Sequence, residues 1–288
     1  MSIIKRHLSP QQIQAIGYGA LAVVSFITVI PIVLLLIYIV IQGLPSISWE
    51  FLTSFPKNGM RDGGILPAII GTFYLTIGTA LFSVPPGIAA AIYLAEYAPN
   101  NRWTNLIRIA MINLAGIPSV IYGLFGLSLF VIFLQFGTSI LAASLTLSIM
   151  TLPVIISTTE EALRSVPYSF RAISISLGAT RWQTIWRIVL PQSLSGIVTG
   201  IILGLGRAAG ETAPILFTGA AFFLPRLPNS PFDSTMALPY HLFVISTQIP
   251  GMPIKIQYGT VMVLLGFVLS MELIATIIRS NARKKRKW

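Results

Sequence analysis

An arginine and a glutamate four residues apart, Arg207 and Glu211, interrupt the otherwise apolar run Ile202–Phe217, ILGLGRAAGETAPILF. On a helix that spacing puts both side chains on one face, where opposite charges can meet. A charge at the centre of a membrane-spanning helix costs about 2.5–3.5 kcal/mol even on insertion scales, so the pair should face protein or a water-filled path. Three chemistries fit. The pair could lock two helices together; Arg207, with Glu211 and Thr212 beside it, could receive an oxyanion in its guanidinium fork; or Glu211 could carry protons.

The residues around the pair say how it is held. Gly196, Gly200 and Gly204 form a stripe at every fourth position, which lets another helix approach closely. Glu211 falls almost on that stripe with Arg207 beside it, so both charges are expected to point toward a helix–helix interface. Pro214 removes a backbone hydrogen bond and should kink or end the helix, and backbone exposed at such a break usually lines a cavity.

The rest of the chain is membrane material. Of 288 residues 55% are hydrophobic and 9% are charged, against roughly 25% charged in soluble domains. A span needs about 20 mostly apolar residues, and six segments qualify: Ala15–Ile41, Leu66–Leu94, Ile109–Leu134, Ser139–Thr159, Ser193–Phe223 and Tyr258–Ile278. The first is too long for a signal-peptide core and reads as a retained helix. The expected class is an all-α membrane protein with six transmembrane helices. It divides into residues 1–65, a helix with its external connection, and residues 66–288, a five-helix core.

Charge separates by sides. Lys5, Arg6, Arg102, Arg108, Arg164, Arg171, Arg181, Arg187, Arg279 and the tail Arg283–Lys287 fall on one side, and only Lys57, Arg61, Arg226 and Lys255 on the other. The positive-inside rule therefore places both termini in the cytoplasm. The basic tail reads as an anchor near anionic lipid rather than a nucleic-acid site. The absence of cysteine excludes disulfides and thiolate chemistry. His7 and His241 lie too far apart in sequence to suggest a metal site.

The connection at residues 160–191 is the informative one: EEALRSVPYSFRAISISLGATRWQTIWRIVLP. Leu163, Val166, Phe170, Ile173 and Leu177 keep the spacing of an amphipathic helix, which Gly178 should stop. Thr180 can cap a second helix with Trp182, Ile185, Trp186 and Val189 on its apolar side, and Pro191 should break the chain before the fifth span. The pattern reads as an interfacial loop or a docking surface. Glu96 and Arg102 look like a solvated turn, and Pro85-Pro86-Gly87 suggests a kink in the second span. Glu272 lies about 10 Å deeper than Arg279 by helical rise, with its role open. On the other side, Gly43–Ile65 reads as turns, and Ala237–Ile245 as a short interfacial helix.

Leu177-Gly178-Ala179-Thr180, followed at fixed distance by Leu190-Pro191, resembles the loop with which ABC-importer permeases dock into their ATPase. The positions before the glycine, Ala172, Ile173 and Ser174, depart from that family's common Glu-Ala-Ala. GRAAGETAP at Gly206–Pro214, MALPYHLF at Met236–Phe243 and TEEALRSVP at Thr159–Pro167 are similar to the permeases of the phosphate-specific ABC importer, and to the second of its two subunits. The resemblance implies a type I ABC-importer permease fold in a bacterial or archaeal inner membrane. It also implies a homologous second permease, two ATPase subunits that bind ATP and Mg, an external phosphate-binding protein and phosphate as substrate. No Gly-x4-Gly-Lys-Ser/Thr loop occurs here, so ATP hydrolysis by that route belongs to a partner and this chain is not expected to be an enzyme or to hold a cofactor. A permease for sulfate or molybdate and a proton-coupled carrier working through Glu211 are the competing functions.

Overall fold

The computed structural model describes residues 9–285. Lys5, Arg6 and His7 lie outside the described residues, as do the side chains of Arg283, Lys284 and Lys285 and all of Arg286 and Lys287. The described residues are mostly helical. Helix α1 (Pro10–Gly43) leads through a short α2 (Trp49–Thr53) and a two-residue hairpin, β1 (Pro56–Lys57) with β2 (Asp62–Gly63), into α3 (Leu66–Ile92). Then follow α4 (Arg102–Ala115), α5 (Ser119–Gly126), α6 (Ile140–Arg164), α7 (Tyr168–Ser176), α8 (Arg181–Thr184), α9 (Leu190–Gly210), α10 (Ala213–Thr218), α11 (Leu238–Thr247) and α12 (Ile254–Lys285).

Five stretches are long and apolar enough to span as single helices. The sixth, expected as one helix over Ile109–Leu134, is instead α4 and α5 bent by 99° at Gly116-Ile117-Pro118. Pro118 lacks an N–H and pushes the residue before it out of helical conformation, so the ladder cannot continue there. Tyr122 mends part of the break, its hydroxyl donating to the Leu114 carbonyl at 2.8 Å.

Helix α6 is the hub, packed against α3, α9, α4, α5 and α10. Close approach of α3 is possible because its facing side chains are small. Thr72, Thr76, Thr79 and Ser83 each donate to the carbonyl four residues earlier, which satisfies buried hydroxyls without a partner helix. Helix α1 stands apart, with no buried residue in its apolar window and its main packing against α12 and the turn Leu44–Ser46. At the α2 end of the bundle, α11 is not the interfacial helix expected from Ala237–Ile245. Its Leu238, His241, Val244 and Ile245 are buried, and the Leu238 N–H donates to Thr72 Oγ1 at 2.8 Å. The apolar residues are used on the core because Met236, Phe51 and Met60 close over the same face.

Two other expectations also change. The helix expected from Leu163 to Leu177 is divided, because Pro167 ends one segment and caps the next: α6 stops at Arg164 and α7 begins at Tyr168. Pro191 breaks nothing. Residues Arg181–Gly210 form one continuous helical stretch, with a π-helical turn at Ile185–Val189 and Pro191 in the first turn after it. The wider turn already departs from the i−4 hydrogen-bond pattern that proline would disrupt.

Candidate functional site

Helix α9 ends at Gly210. Glu211 is extended (φ −76°, ψ 134°), and α10 restarts at Ala213 with Pro214 in its first turn, where the ring's missing N–H costs nothing. The broken third span meets this second break. A Cβ on Gly123 of α5 would stand 3.0 Å from both the Ala213 carbonyl oxygen and Pro214 Cα, so only glycine permits the contact. Tyr122, Ala208 and Ile215 share one buried cluster with Leu75 and Leu147, which fixes both interruptions against α3 and α6.

On this junction Arg207 Nε donates to Glu211 Oε1 at 3.3 Å. The arginine side chain is 45% exposed and the glutamate 17%. The terminal guanidinium nitrogens have no partner among the described residues, and neither does the Thr212 hydroxyl. Glu211 thus orients the guanidinium through its inner nitrogen and leaves the outer fork open for two parallel hydrogen bonds to an oxyanion.

The glycine stripe lies elsewhere on α9. A Cβ on Gly196 would come within 2.6 Å of Ala162 Cβ, one on Gly204 within 3.3 Å of Ile155 Cγ1, and one on Gly200 would strike Thr158. The stripe therefore faces α6. Arg207, three residues past Gly204, is turned about 60° from it and projects from the open side, so the expectation that both charges point into a helix interface holds only for Glu211. Gly206 faces α12 instead, with the Glu272 carboxylate 3.1 Å from where its Cβ would be.

At the α7 end, charges missed by sequence reasoning form a compact cluster. Glu160 is buried and accepts from Arg108 Nε and Arg164 Nε, each at 2.9 Å through Oε1. Both arginines also donate to the Leu94 carbonyl, at 3.1 and 3.3 Å, where a π-helical turn at Tyr93–Tyr97 closes the second span. Glu96, expected as a solvated turn residue, is instead only 11% exposed and pairs with Arg171 at 2.6 Å. Arg171 also donates to the Val166 and Leu163 carbonyls, so it ties α7 to the ends of both α3 and α6. The sequence separation of 75 between Glu96 and Arg171 hides this pairing from any local pattern.

Beyond that anchor the chain turns outward. Gly178 adopts φ +88°, the left-handed region that favours glycine, and no atom lies within 4 Å of its ideal Cβ. Thr180 and Gln183 form a reciprocal capping box on α8. Leu177, Gly178 and Thr180 are exposed and Ala179 half-buried. Trp182 and Trp186 lie edge to face 5.5 Å apart on the same projection. Leu190 packs with Ala91, Leu163 and Val189 at the base of α9, and Pro191 beside it is exposed.

The comparisons with known proteins converge on this core. Residues 87–285 match the model of the binding-protein-dependent transport system inner membrane component family. The chain belongs to that family of transporter permeases. A probable ABC transporter permease of Bacillus subtilis, YqgI, is 35% identical over 223 residues, covering 73% of this chain and 76% of its own. The phosphate transport system permease protein PstA 2 of Mycobacterium bovis is 32% identical over 279 residues, covering 96% and 90%. Among solved structures, a bacterial ABC transporter involved in import of the acidic polysaccharide alginate superposes with a TM-score of 0.66 at 17% identity, covering 95% of this chain and 99% of that one. At that identity the likeness establishes the fold, a type I ABC-importer permease with six spans. In this permease the matched region takes in both helix breaks, the charge cluster and the Gly178 turn, and leaves α1 outside.

Proposed function

We propose that this permease forms part of the transmembrane path of an ATP-driven phosphate importer, with Arg207, Glu211 and Thr212 on the path. The observation that carries the reading is the open fork of Arg207 at the meeting of two interrupted helices, since discontinuous helices are where transport sites are built. Relatives named as phosphate permeases support the choice of anion. So does Glu211: a carboxylate beside the fork can accept a hydrogen bond from an oxyanion that keeps a proton, as phosphate does near neutral pH, and repels one that keeps none, such as sulfate. It also prevents the arginine from holding its anion too firmly for release.

In this reading the open side of Arg207 is covered by a homologous second permease. The Gly178 turn, with Leu177, Ala179 and Thr180, seats against one of two ATPase subunits that bind ATP and Mg, while Leu190 and Pro191 support it from the base of α9. Phosphate arrives from an external binding protein, and both termini and the Gly178 turn lie in the cytoplasm. The test is phosphate uptake by Arg207→Gln, Glu211→Gln and the double variant in assembled complexes. Arg207→Gln should abolish uptake and Glu211→Gln slow it, with neither rescued by the other. Recovery in the double variant would mean the pair only locks helices. Inhibition of wild-type uptake by excess sulfate or molybdate would reassign the anion, and uptake that persists when ATP hydrolysis is blocked would make the protein a secondary carrier.

A further inference from the structure

A second arginine repeats the arrangement of the first. Helices α9 and α12 run antiparallel in steady register: Glu272 lies against Gly206, and seven residues along each helix Arg279 lies against Thr199. Seven residues span about 10 Å, so Arg279 sits roughly two turns from Arg207 toward the α7 end. Its Nε donates to Thr199 Oγ1 at 3.4 Å, and Thr199 in turn donates to the Ser195 carbonyl at 2.6 Å. The hydroxyl proton is thereby directed away, and the oxygen is left to hold the guanidinium. The terminal nitrogens of Arg279 have no partner among the described residues.

Arg279 borders an open cleft of about 320 Å3 between α6 and α9, to which it is the contribution of α12 among the described residues. Its lining joins Arg279 to Thr158, Thr199, Ser195, Glu161 and Leu203. Leu203 stands between the two arginines, one turn of α9 from Arg207, and keeps the two forks from sharing one anion. The cavity has room for a tetrahedral oxyanion with some of its water, and among the described residues its lining supplies one cation, Arg279, and one carboxylate, Glu161, while the Thr158, Ser165, Ser193 and Thr199 hydroxyls already donate to backbone carbonyls. Those residues give a weak site, suited to an ion that stays briefly.

We propose that this cavity binds a phosphate group in the fork of Arg279. Glu161 plays here the part that Glu211 plays beside Arg207, accepting from an anion that retains a proton. The inference rests on the path reading only for its direction, in which a free phosphate leaving Arg207 passes Leu203 and pauses at Arg279. The same fork would equally hold the phosphate of an anionic lipid entering beside α12, where Arg279 is exposed.

Two arms separate the sources. The transporter, purified with its partner subunits and placed in phosphatidylcholine nanodiscs, is assayed for bound [32P] inorganic phosphate by equilibrium dialysis. The parent is Arg207→Gln, so that only the second site is read. Adding Arg279→Gln should weaken the remaining binding by roughly tenfold, the effect of one charge-assisted contact. Arg279→Lys should recover only part of it, because an ammonium lacks the planar fork. Thr199→Val, which keeps the charge and frees its orientation, should weaken binding a fewfold, and it serves if Arg279→Gln lowers assembly. In nanodiscs containing phosphatidylglycerol, native mass spectrometry counts bound lipid. Loss of one phosphatidylglycerol per site in Arg279→Gln, with free phosphate unaffected, assigns the site to lipid. Unchanged phosphate binding together with unchanged lipid count overturns the proposal. Full uptake by Arg207→Gln alone would overturn the path reading and leave the Arg279 result standing.

Discussion

Arg171 makes five hydrogen bonds, three to Glu96 and two to backbone carbonyls, and its side chain is 13% exposed. Arg207 makes one, to Glu211, and is 45% exposed. Both sit near a helix end beside a carboxylate, so residue type and neighbours alone do not distinguish them. What differs is the number of donors already used. A guanidinium with every nitrogen engaged is a structural joint, since it has nothing left to offer a ligand and removing its partner strands a buried charge. One held by its inner nitrogen alone is oriented but still free to bind. His241 marks the far extreme. It is buried with neither ring nitrogen bonded among the described residues, and burial lowers its pKa from 6.5 to about 4.

The contrast can be broken at several points. Arg171→Ala should have the largest effect on stability, roughly 3–5 kcal/mol, because Glu96 is left buried and unpaired; thermal unfolding of the purified protein measures it, and a loss below about 1 kcal/mol would make the joint ornamental. For His241 the folded pKa lies below the unfolded value, so protonation favours unfolding. Its effect is absent above pH 6.5 and grows as pH falls toward 4, reaching about 3 kcal/mol. Comparing wild type with His241→Leu from pH 7 to 4 isolates that slope, and parallel curves would contradict a neutral buried imidazole. Arg207→Gln should do the reverse of Arg171→Ala. Uptake should be abolished, with stability within about 1 kcal/mol of wild type because the pair is half-exposed. Equal losses of stability from the two arginine variants would erase the distinction. Least of all, Gly178→Ala should cost about 1 kcal/mol through its positive φ alone, since no atom crowds the site, and Gly178→Asn, which tolerates that conformation, should restore most of any lost uptake.

What was legible in the sequence was whatever is encoded within about one helical turn. Arg207 and Glu211 meet because they are four residues apart, Gly178 turns because no other residue does so cheaply, and Thr180 caps because Gln183 sits three residues on. The family was legible for the same reason, since its motifs are short and contiguous. Interactions across the fold were not. Glu96 finds Arg171, and Glu160 finds Arg108, only after α3, α4 and α6 have packed. The break of the third span did leave a local signal, Gly116-Ile117-Pro118, which an apolar average over Ile109–Leu134 conceals. Pro191 misled in the opposite direction, because a π turn just before it accommodates the ring. The orientation of Arg207 away from α6 follows from helical phase, and that would have been readable by counting degrees rather than residues.

The unbroken helical stretch from Arg181 to Gly210 ties two distant features into one mechanical part. From Trp186, on the projecting turn, to Arg207 is 21 residues, a rod about 31 Å long. Its bearing is the glycine stripe, where Gly196 and Gly200 add no side chain of their own and α9 rests directly on Ala162 and Thr158 of α6. A rod pivoting there acts as a lever. Tilting the whole length by about 10° would carry one end roughly 5 Å relative to the other, enough to draw Arg207 off an anion without altering a single contact in its own first turn. The π turn at Ile185–Val189 interrupts the regular hydrogen-bond ladder of this lever near its projecting end, so a change that stiffens that turn should lengthen the throw at Arg207 if the lever is driven from the Gly178 side.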